Sequence, residues 1–205
     1  PMLHAAAMRA KIEVAVELDH GCSLFNVRRA MDLGFNTIMF DGSMYPVEKN
    51  ISETRKIADE THARGVALEA EIGIVGGSEG GADLTANCAS LSDIVALGSK
   101  SSCDALAIAI GNAHGHYKGI PKLNFDLLEK AHNTLPDLPF VLHGGTGISP
   151  ADFRKAITLG IAKINIATAN FDAIVTASMQ YAEKSAPLSR NYFALNENMV
   201  EQVYN

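Results

Sequence analysis

The stretch Ala105-Leu106-Ala107-Ile108-Ala109-Ile110-Gly111-Asn112-Ala113-His114-Gly115 decides the fold class. Its first six residues are all apolar, as in a parallel strand that is covered on both faces. A turn with glycine and polar side chains follows, and residues 125 to 133 then have helical spacing. This stretch therefore predicts one strand–loop–helix unit of an α/β protein, with chemical groups at the end of the strand.

The same unit recurs along the chain. Six strands are predicted, at residues 14–18, 37–40, 66–71, 105–110, 140–142 and 162–166. Strands that alternate with helices predict a parallel sheet. A (βα)8 TIM-type barrel needs eight strands, so either the first two βα units are missing from this chain or the fold is an open sheet. No linker divides residues 1–205, which predicts a single domain, and the start at Pro1 rather than Met indicates an N-terminus that is not native.

Composition narrows the classes of function. The 205 residues are 47% hydrophobic and 20% charged, which is typical of a globular protein. A net charge of −6 without a basic run argues against nucleic acid as a partner. No apolar stretch is long enough to span a bilayer, so no membrane association is expected. Three scattered cysteines form no disulfide framework and favour a cytoplasmic location.

Three histidines end three different strands: His20, His114 and His143. Each is followed directly by glycine, which allows a sharp backbone turn. In a barrel these strand ends meet at one mouth, where three imidazoles can hold a catalytic zinc ion and leave one position open. A single histidine here would be an ordinary loop residue, but three at successive strand ends favour zinc. The other histidines lack the pattern, and among them only His116 lies near enough to be a weak candidate.

Acidic residues accompany these histidines. Asp19 precedes His20 and can act as an acid or base on a substrate oxygen, or can orient a histidine instead. Asp41 also ends a strand and could play either part. The segment Glu69 to Gly81 places two acids on one strand face and a third, Glu79, in a glycine-rich loop. That loop is either a mobile lid, whose glutamate moves into the site and acts as a base, or an ordinary solvated loop.

The last two strands predict an anion site. The sequence His143-Gly144-Gly145-Thr146-Gly147 exposes backbone amides, and Asn165-Ile166-Ala167-Thr168 adds an amide and a hydroxyl. TIM barrels often bind phosphate with the loops after their last two strands, and clustered N–H groups attract anions.

Lys163 is a further candidate. Side chains alternate along the last strand, so Lys163 points into the barrel, where it either forms a Schiff base or pairs with Glu17 or Glu69. We favour the charge pair, because zinc already supplies an electrophile.

Taken together, six segments resemble the class II fructose- and tagatose-bisphosphate aldolases. They occur in the family's order and cover roughly residues 12 to 170. The segments are Leu18-Asp19-His20-Gly21, Asp41-Gly42-Ser43, Glu69-Ala70-Glu71-Ile72-Gly73, Ala109-Ile110-Gly111-Asn112-Ala113-His114-Gly115, Leu142-His143-Gly144-Gly145-Thr146-Gly147 and Lys163-Ile164-Asn165-Ile166-Ala167-Thr168.

The resemblance implies a zinc-dependent enzyme that reversibly cleaves a ketose 1,6-bisphosphate, of the fructose or tagatose type, to dihydroxyacetone phosphate and glyceraldehyde 3-phosphate. It implies zinc on the three histidines, with Glu71 able to hold the ion in an alternative position. Asp19 matches the acid/base at the hydroxyl of the cleaved bond, and Glu79 matches the mobile-loop base. The positions that bind dihydroxyacetone phosphate, and in many members a sodium or potassium ion nearby, match Gly115, Gly144, Gly145, Thr146, Asn165, Ile166, Ala167 and Thr168.

The resemblance also implies a homodimer or homotetramer. The chain departs from the family at Glu17, where many members have histidine, and at Ser78-Glu79, where many have two acids. Two alternatives to an active zinc aldolase stay open. One is an inactive relative that binds metal and sugar phosphates, and the other is a Schiff-base lyase that uses Lys163.

Overall fold

The order of the strands distinguishes the two folds that the sequence leaves open. The computed structural model describes residues 2–79, 82–84, 87–184 and 191–204. Within these residues, one parallel sheet has six strands in chain order: β1 (Glu17–Gly21), β2 (Thr37–Phe40), β3 (Ala67–Ile72), β6 (Ala105–Ile108), β8 (Phe140–Leu142) and β9 (Ile161–Ile164). A doubly wound open sheet reverses its strand order at a switch point, whereas this order never reverses. The sheet is therefore a section of a TIM-type barrel wall, which confirms the predicted α/β fold class.

Most of the helices follow a strand of this wall. The helices are α1 (Met2–Arg9), α2 (Leu24–Asp32), α3 (Val47–His62), α4 (Leu91–Lys100), α5 (Phe125–Thr134), α6 (Pro150–Thr158), α7 (Thr168–Lys184) and α8 (Tyr192–Tyr204). Serine or asparagine caps four of them by accepting a backbone N–H of the first turn: Ser23, Ser90, Asn124 and Ser149. Such caps satisfy amides that have no partner within a helix. No helix in the described part of the chain is long and apolar enough to cross a membrane.

Side chains alternate between the two faces of the sheet. The outward residues of the strands, such as Ile38, Leu106 and Phe140, are fully buried in the core beneath the helices. Their neighbours Met39, Ala107 and Val141 form a separate small cluster on the inner face. The inner face therefore carries few large apolar side chains, and alanines and polar side chains occupy the remaining inward positions.

A second, three-stranded sheet lies at the end of the wall. Its strands are β4 (Gly76–Glu79), β5 (Ala82–Leu84) and β7 (Ala113–His114), in the order β5-β4-β7. The sequence predicts an irregular loop from Gly73 to Gly81, and this prediction is wrong for β4. The reason is close packing: Gly77 has φ 92°, and a Cβ there would lie 2.0 Å from the carbonyl oxygen of His114. Glycine at this position lets β4 approach β7, which carries a predicted metal ligand.

Truncation of the core should be costly. We expect Phe140→Ala to lower the free energy of unfolding by about 3–5 kcal/mol, because a fully buried ring is lost and a cavity remains. Phe25→Ala is the matched control, since Phe25 is 77% exposed and should change stability by less than about 0.5 kcal/mol. Equilibrium unfolding in urea measures both, and equal values would contradict the assigned core.

Candidate active site

Three imidazoles converge at the carboxyl ends of the strands. His20 lies in β1, His114 in β7 and His143 directly after β8. Their ring centroids are 4.9 Å (His20–His143), 5.2 Å (His20–His114) and 5.8 Å (His114–His143) apart. One nitrogen of each ring lies within 4.8 Å of a nitrogen of the others. Three neutral nitrogens at this spacing can bind one divalent ion, and imidazole is a preferred ligand of zinc.

The backbone of His20 is unusual. Its φ of 51° lies in the left-handed region, which residues other than glycine seldom adopt. Such strain tends to occur at functional sites, where surrounding contacts hold it in place. Here Nδ1 of His20 lies 3.0 Å from Oδ2 of Asp41, and its Nε2 lies 3.2 Å from Nδ1 of His143. Asp41 thus fixes the ring from one side so that the other nitrogen faces the cluster.

The protonation of Asp41 supports this orientation. Burial raises the pKa of its carboxyl group, but hydrogen bonds from His20 and Ser43 outweigh burial and lower the pKa below its usual value. Asp41 is therefore a stable acceptor for the N–H of His20. Of the two parts that the sequence suggests for Asp41, the contacts support the orienting one.

His143 is held more firmly still. It is 1% exposed, and its Nε2 lies 2.9 Å from Oε1 of Glu69, which is 2% exposed. A carboxylate only accepts hydrogen bonds, so Nε2 carries the proton and the lone pair of Nδ1 is directed at the cluster. Burial raises the pKa of Glu69, but His143 and Lys163 outweigh it and lower the pKa. This is the carboxylate–histidine arrangement that orients metal ligands.

Lys163 points into the barrel, as the alternation along its strand predicts. Its Nζ lies 2.7 Å from Oε2 of Glu17 and 2.8 Å from Oε2 of Glu69, so both pairs that the sequence suggests are formed. Burial lowers the pKa of Lys163, but the two carboxylates outweigh burial and raise it. The amine is thus held in its charged form, which is a poor nucleophile.

A second group of donors shares His20. It consists of His20, Asp41 and Glu71, with one atom of each within 4.8 Å of the others. Glu71 is buried, and its Oε2 lies 3.8 Å from Nδ1 of His20. This group uses the opposite nitrogen of His20 from the one that faces His143. It includes Glu71, the residue that the resemblance implies can hold the metal in an alternative position.

A pocket of about 230 Å³ opens beside the histidines. Its wall comprises Asp19, His114, Gly115, His143, Gly144, Thr146, Asn165, Ala167, Thr168 and Phe171. Six of the eight predicted substrate-binding residues are therefore in this lining. Gly145 and Ile166 are not: Gly145 donates its N–H to the carbonyl oxygen of Asn165 at 2.9 Å, and Ile166 is 46% exposed.

The first turn of α7 faces this pocket. Thr168 begins the helix, and Oγ1 of Thr146 accepts the N–H of Ala169 at 3.1 Å. Backbone amides at a helix N-terminus lack partners within the helix and attract anions. Asp19 also lines the pocket, and it accepts a hydrogen bond from Nδ2 of Asn165 at 3.3 Å. The pocket thus combines imidazoles that could hold a metal ion, a carboxylate and the N-terminus of a helix.

Two predicted candidates are not among the residues of the described cluster. The backbone of Glu79 ends β4, but its side chain lies outside the part of the chain that the structure describes. His116 is exposed and lies 3.1 Å from Asp172 on α7. Among the described residues it is in neither donor group.

Three residues near the site were not singled out from the sequence. Nδ2 of Asn112 donates to the carbonyl oxygen of His143 at 3.0 Å. The hydroxyl of Tyr117 donates to the carbonyl oxygen of Gly144 and accepts the N–H of Ala113, each at 2.9 Å. Phe171 lines the pocket mouth. The available signal in the sequence is position, because Tyr117 lies only three residues after the predicted ligand His114.

Comparison with known proteins identifies the family. The sequence model of the family described as class II fructose-bisphosphate aldolase matches residues 1–205. The chain belongs to this family. Its members are metal-dependent, in keeping with the donor groups described above.

Individual members of the family show the extent of the match. The chain is 39% identical over 197 residues to the 6-phospho-5-dehydro-2-deoxy-D-gluconate aldolase of Bacillus velezensis and 41% identical over 181 residues to the fructose-bisphosphate aldolase of Geobacillus stearothermophilus. These matches cover 95% and 86% of the chain but 68% and 62% of the two relatives. Among solved structures, the YdjI aldolase from Escherichia coli K12 has a TM-score of 0.84 and 32% identity, with 98% of this chain and 69% of that chain covered.

Tyr117 joins the backbone around two of the family's histidines, so its hydroxyl should matter to stability. We expect Tyr117→Phe to lower the free energy of unfolding by about 1–2 kcal/mol, because two hydrogen bonds are lost at once. Tyr204→Phe removes the same hydroxyl from a residue that is 87% exposed and should be neutral. Urea unfolding compares the two, and a neutral Tyr117→Phe would show that other contacts hold the loops.

Proposed function

We propose that this chain carries the active site of a zinc-dependent aldolase that reversibly cleaves a ketose 1,6-bisphosphate. The products would be dihydroxyacetone phosphate and glyceraldehyde 3-phosphate. The observation that carries this proposal is the set of three imidazole nitrogens within 4.8 Å of one another. Two of the three rings, those of His114 and His143, lie on the wall of a pocket that also contains Asp19. Three nitrogen ligands with an open side suit a catalytic zinc ion.

The residues that would hold the ion are His20, His114 and His143. The group of His20, Asp41 and Glu71 offers the alternative position. When bound, zinc stabilises the negative charge that develops on substrate oxygens as the carbon–carbon bond breaks.

Asp19 is the proposed acid/base. Its carboxylate is 47% exposed to the pocket and lies 3.8 Å from Nε2 of His20. Asn165 orients it through a hydrogen bond of 3.3 Å. In the cleavage direction Asp19 accepts the proton of the hydroxyl next to the bond that breaks, and it returns this proton in the synthesis direction. Glu79 is the proposed base for the proton on the dihydroxyacetone phosphate half.

The phosphate of that half would bind in the same pocket, beside the start of α7. Gly115, Gly144, Thr146 and Thr168 border this region, where the amides at the start of α7 favour an anion. Gly145, Asn165, Ile166 and Ala167 complete the proposed substrate-binding set, and a sodium or potassium ion nearby would offset phosphate charge. A cytoplasmic homodimer or homotetramer is the proposed form of the protein.

An imine mechanism has less support. The amine that would form the imine, Lys163, lies within 2.8 Å of two carboxylates, and these raise its pKa. A Schiff base requires the neutral amine. The metal-dependent mechanism therefore fits the contacts of this lysine better.

Activity that depends on the metal is the primary test. We expect release of dihydroxyacetone phosphate from fructose or tagatose 1,6-bisphosphate in a coupled assay, its loss with a chelator and its return with zinc. The 6-phospho-5-dehydro-2-deoxy-D-gluconate substrate belongs in the same panel, because one relative carries that name. Zinc binding without turnover of any sugar would instead identify an inactive binding relative. Trapping by borohydride would identify the imine mechanism.

Asp19→Asn separates chemistry from metal binding. We expect kcat to fall by about 10²–10⁴-fold, because the amide cannot exchange the substrate proton. Zinc affinity should be retained, since the three histidines remain. Asp59→Asn is the control, because Asp59 is an exposed residue of α3 that is ion-paired with Arg55. A variant that lost zinc and activity together would refute the assigned role of Asp19.

A further inference from the structure

A row of charged groups crosses the inner face of the sheet and ends at His143. It begins with Glu17 on β1, whose Oε2 lies 2.7 Å from Nζ of Lys163 on β9. The same Nζ lies 2.8 Å from Oε2 of Glu69 on β3. The other oxygen of Glu69, Oε1, lies 2.9 Å from Nε2 of His143. Each group therefore contacts the next, across three strands.

The two oxygens of Glu69 have different partners. Because Lys163 contacts Oε2, the plane of the buried Glu69 carboxylate cannot turn without breaking this ion pair, and Oε1 stays directed at His143. Strand register supports the arrangement, since Val141 of β8 pairs with Lys163. His143, two residues after Val141, is thus on the same face and one strand away.

We infer that Lys163 is a positioning residue for the metal centre: by fixing Glu69, it keeps the proton of His143 on Nε2 and leaves Nδ1 free to bind the metal. This inference rests on the proposed metal site at His20, His114 and His143. In the described structure Nδ1 of His143 already lies 3.2 Å from Nε2 of His20. The other tautomer would put a proton between the two ligands.

A positioning role and a purely electrostatic role predict opposite results. Lys163 is a cation close to a site for a second cation, so on charge alone its removal tightens metal binding. If Lys163 positions Glu69, its removal frees the carboxylate and lets His143 populate both tautomers. Metal binding then weakens, by about tenfold or more, as is typical when the partner of a metal-bound histidine is disturbed.

The experiment compares Lys163→Met with the wild type by two measurements. Zinc affinity is measured by competition with a chromophoric chelator. The tautomer of His143 is measured in the zinc-free protein from the ¹⁵N shifts of its ring nitrogens, assigned with a His143→Gln variant. Lys56→Met is the matched control, because it removes a lysine from an exposed ion pair with Glu53 of the same 2.7 Å length.

We expect Lys163→Met to bind zinc about tenfold more weakly and to show a mixture of His143 tautomers. Lys56→Met should match the wild type. Lys163→Arg should recover the Nε2–H tautomer, because a guanidinium can contact both carboxylates. Equal or tighter zinc binding by Lys163→Met, or an unchanged tautomer, would overturn the inference.

The test also covers a variant that does not fold and a wild type that is inactive. If Lys163→Met loses cooperative unfolding, the double variant Glu17→Gln/Lys163→Met leaves one carboxylate rather than two without a cation, and the same results are expected of it. If the wild type binds zinc but cleaves no sugar, the proposed activity fails while the comparison of affinity and tautomer still decides the inference. A wild type that binds no zinc overturns both.

Discussion

The alternation of side chains along parallel strands is the constraint on which the rest of this structure depends. Every second residue of the sheet points outward into a core of large apolar side chains such as Leu68 and Leu142. The residues between them must point inward, and there the chain places few apolar groups. Charged side chains on this face cannot reach bulk water freely, so they must satisfy one another. The contacts among Glu17, Glu69 and Lys163 follow from this requirement.

Parallel strands also bring their carboxyl ends to one edge, which explains why the histidines could be found from the sequence. Each is a polar residue followed by glycine at the end of an apolar run, and that pattern requires no knowledge of long-range contacts. The direction of Lys163 could be predicted for a related reason, because period-two alternation depends only on local backbone geometry. Fold class and the converging ligands were thus accessible from local patterns.

Other features depend on distances between segments that are remote in sequence. The bond between Glu69 and His143 spans 74 positions, and no local pattern specifies it. The left-handed backbone of His20 was also unforeseen, because histidine rarely adopts that conformation. The glycines of β4 predict a loop. In the structure they instead allow this strand to lie close to β7. In each case tertiary packing overrides the local preference.

The two outer strands of the sheet, β1 and β9, meet in the described structure through side chains rather than through backbone bonds. Lys163 contacts Glu17, and Asn165 contacts Asp19. Elsewhere the spacing between neighbouring strands is fixed by amide–carbonyl ladders, which depend little on salt. Ion pairs weaken as dissolved ions screen them. Dissolved salt therefore weakens the contact between Lys163 and Glu17 more than it weakens the backbone hydrogen bonds of the sheet.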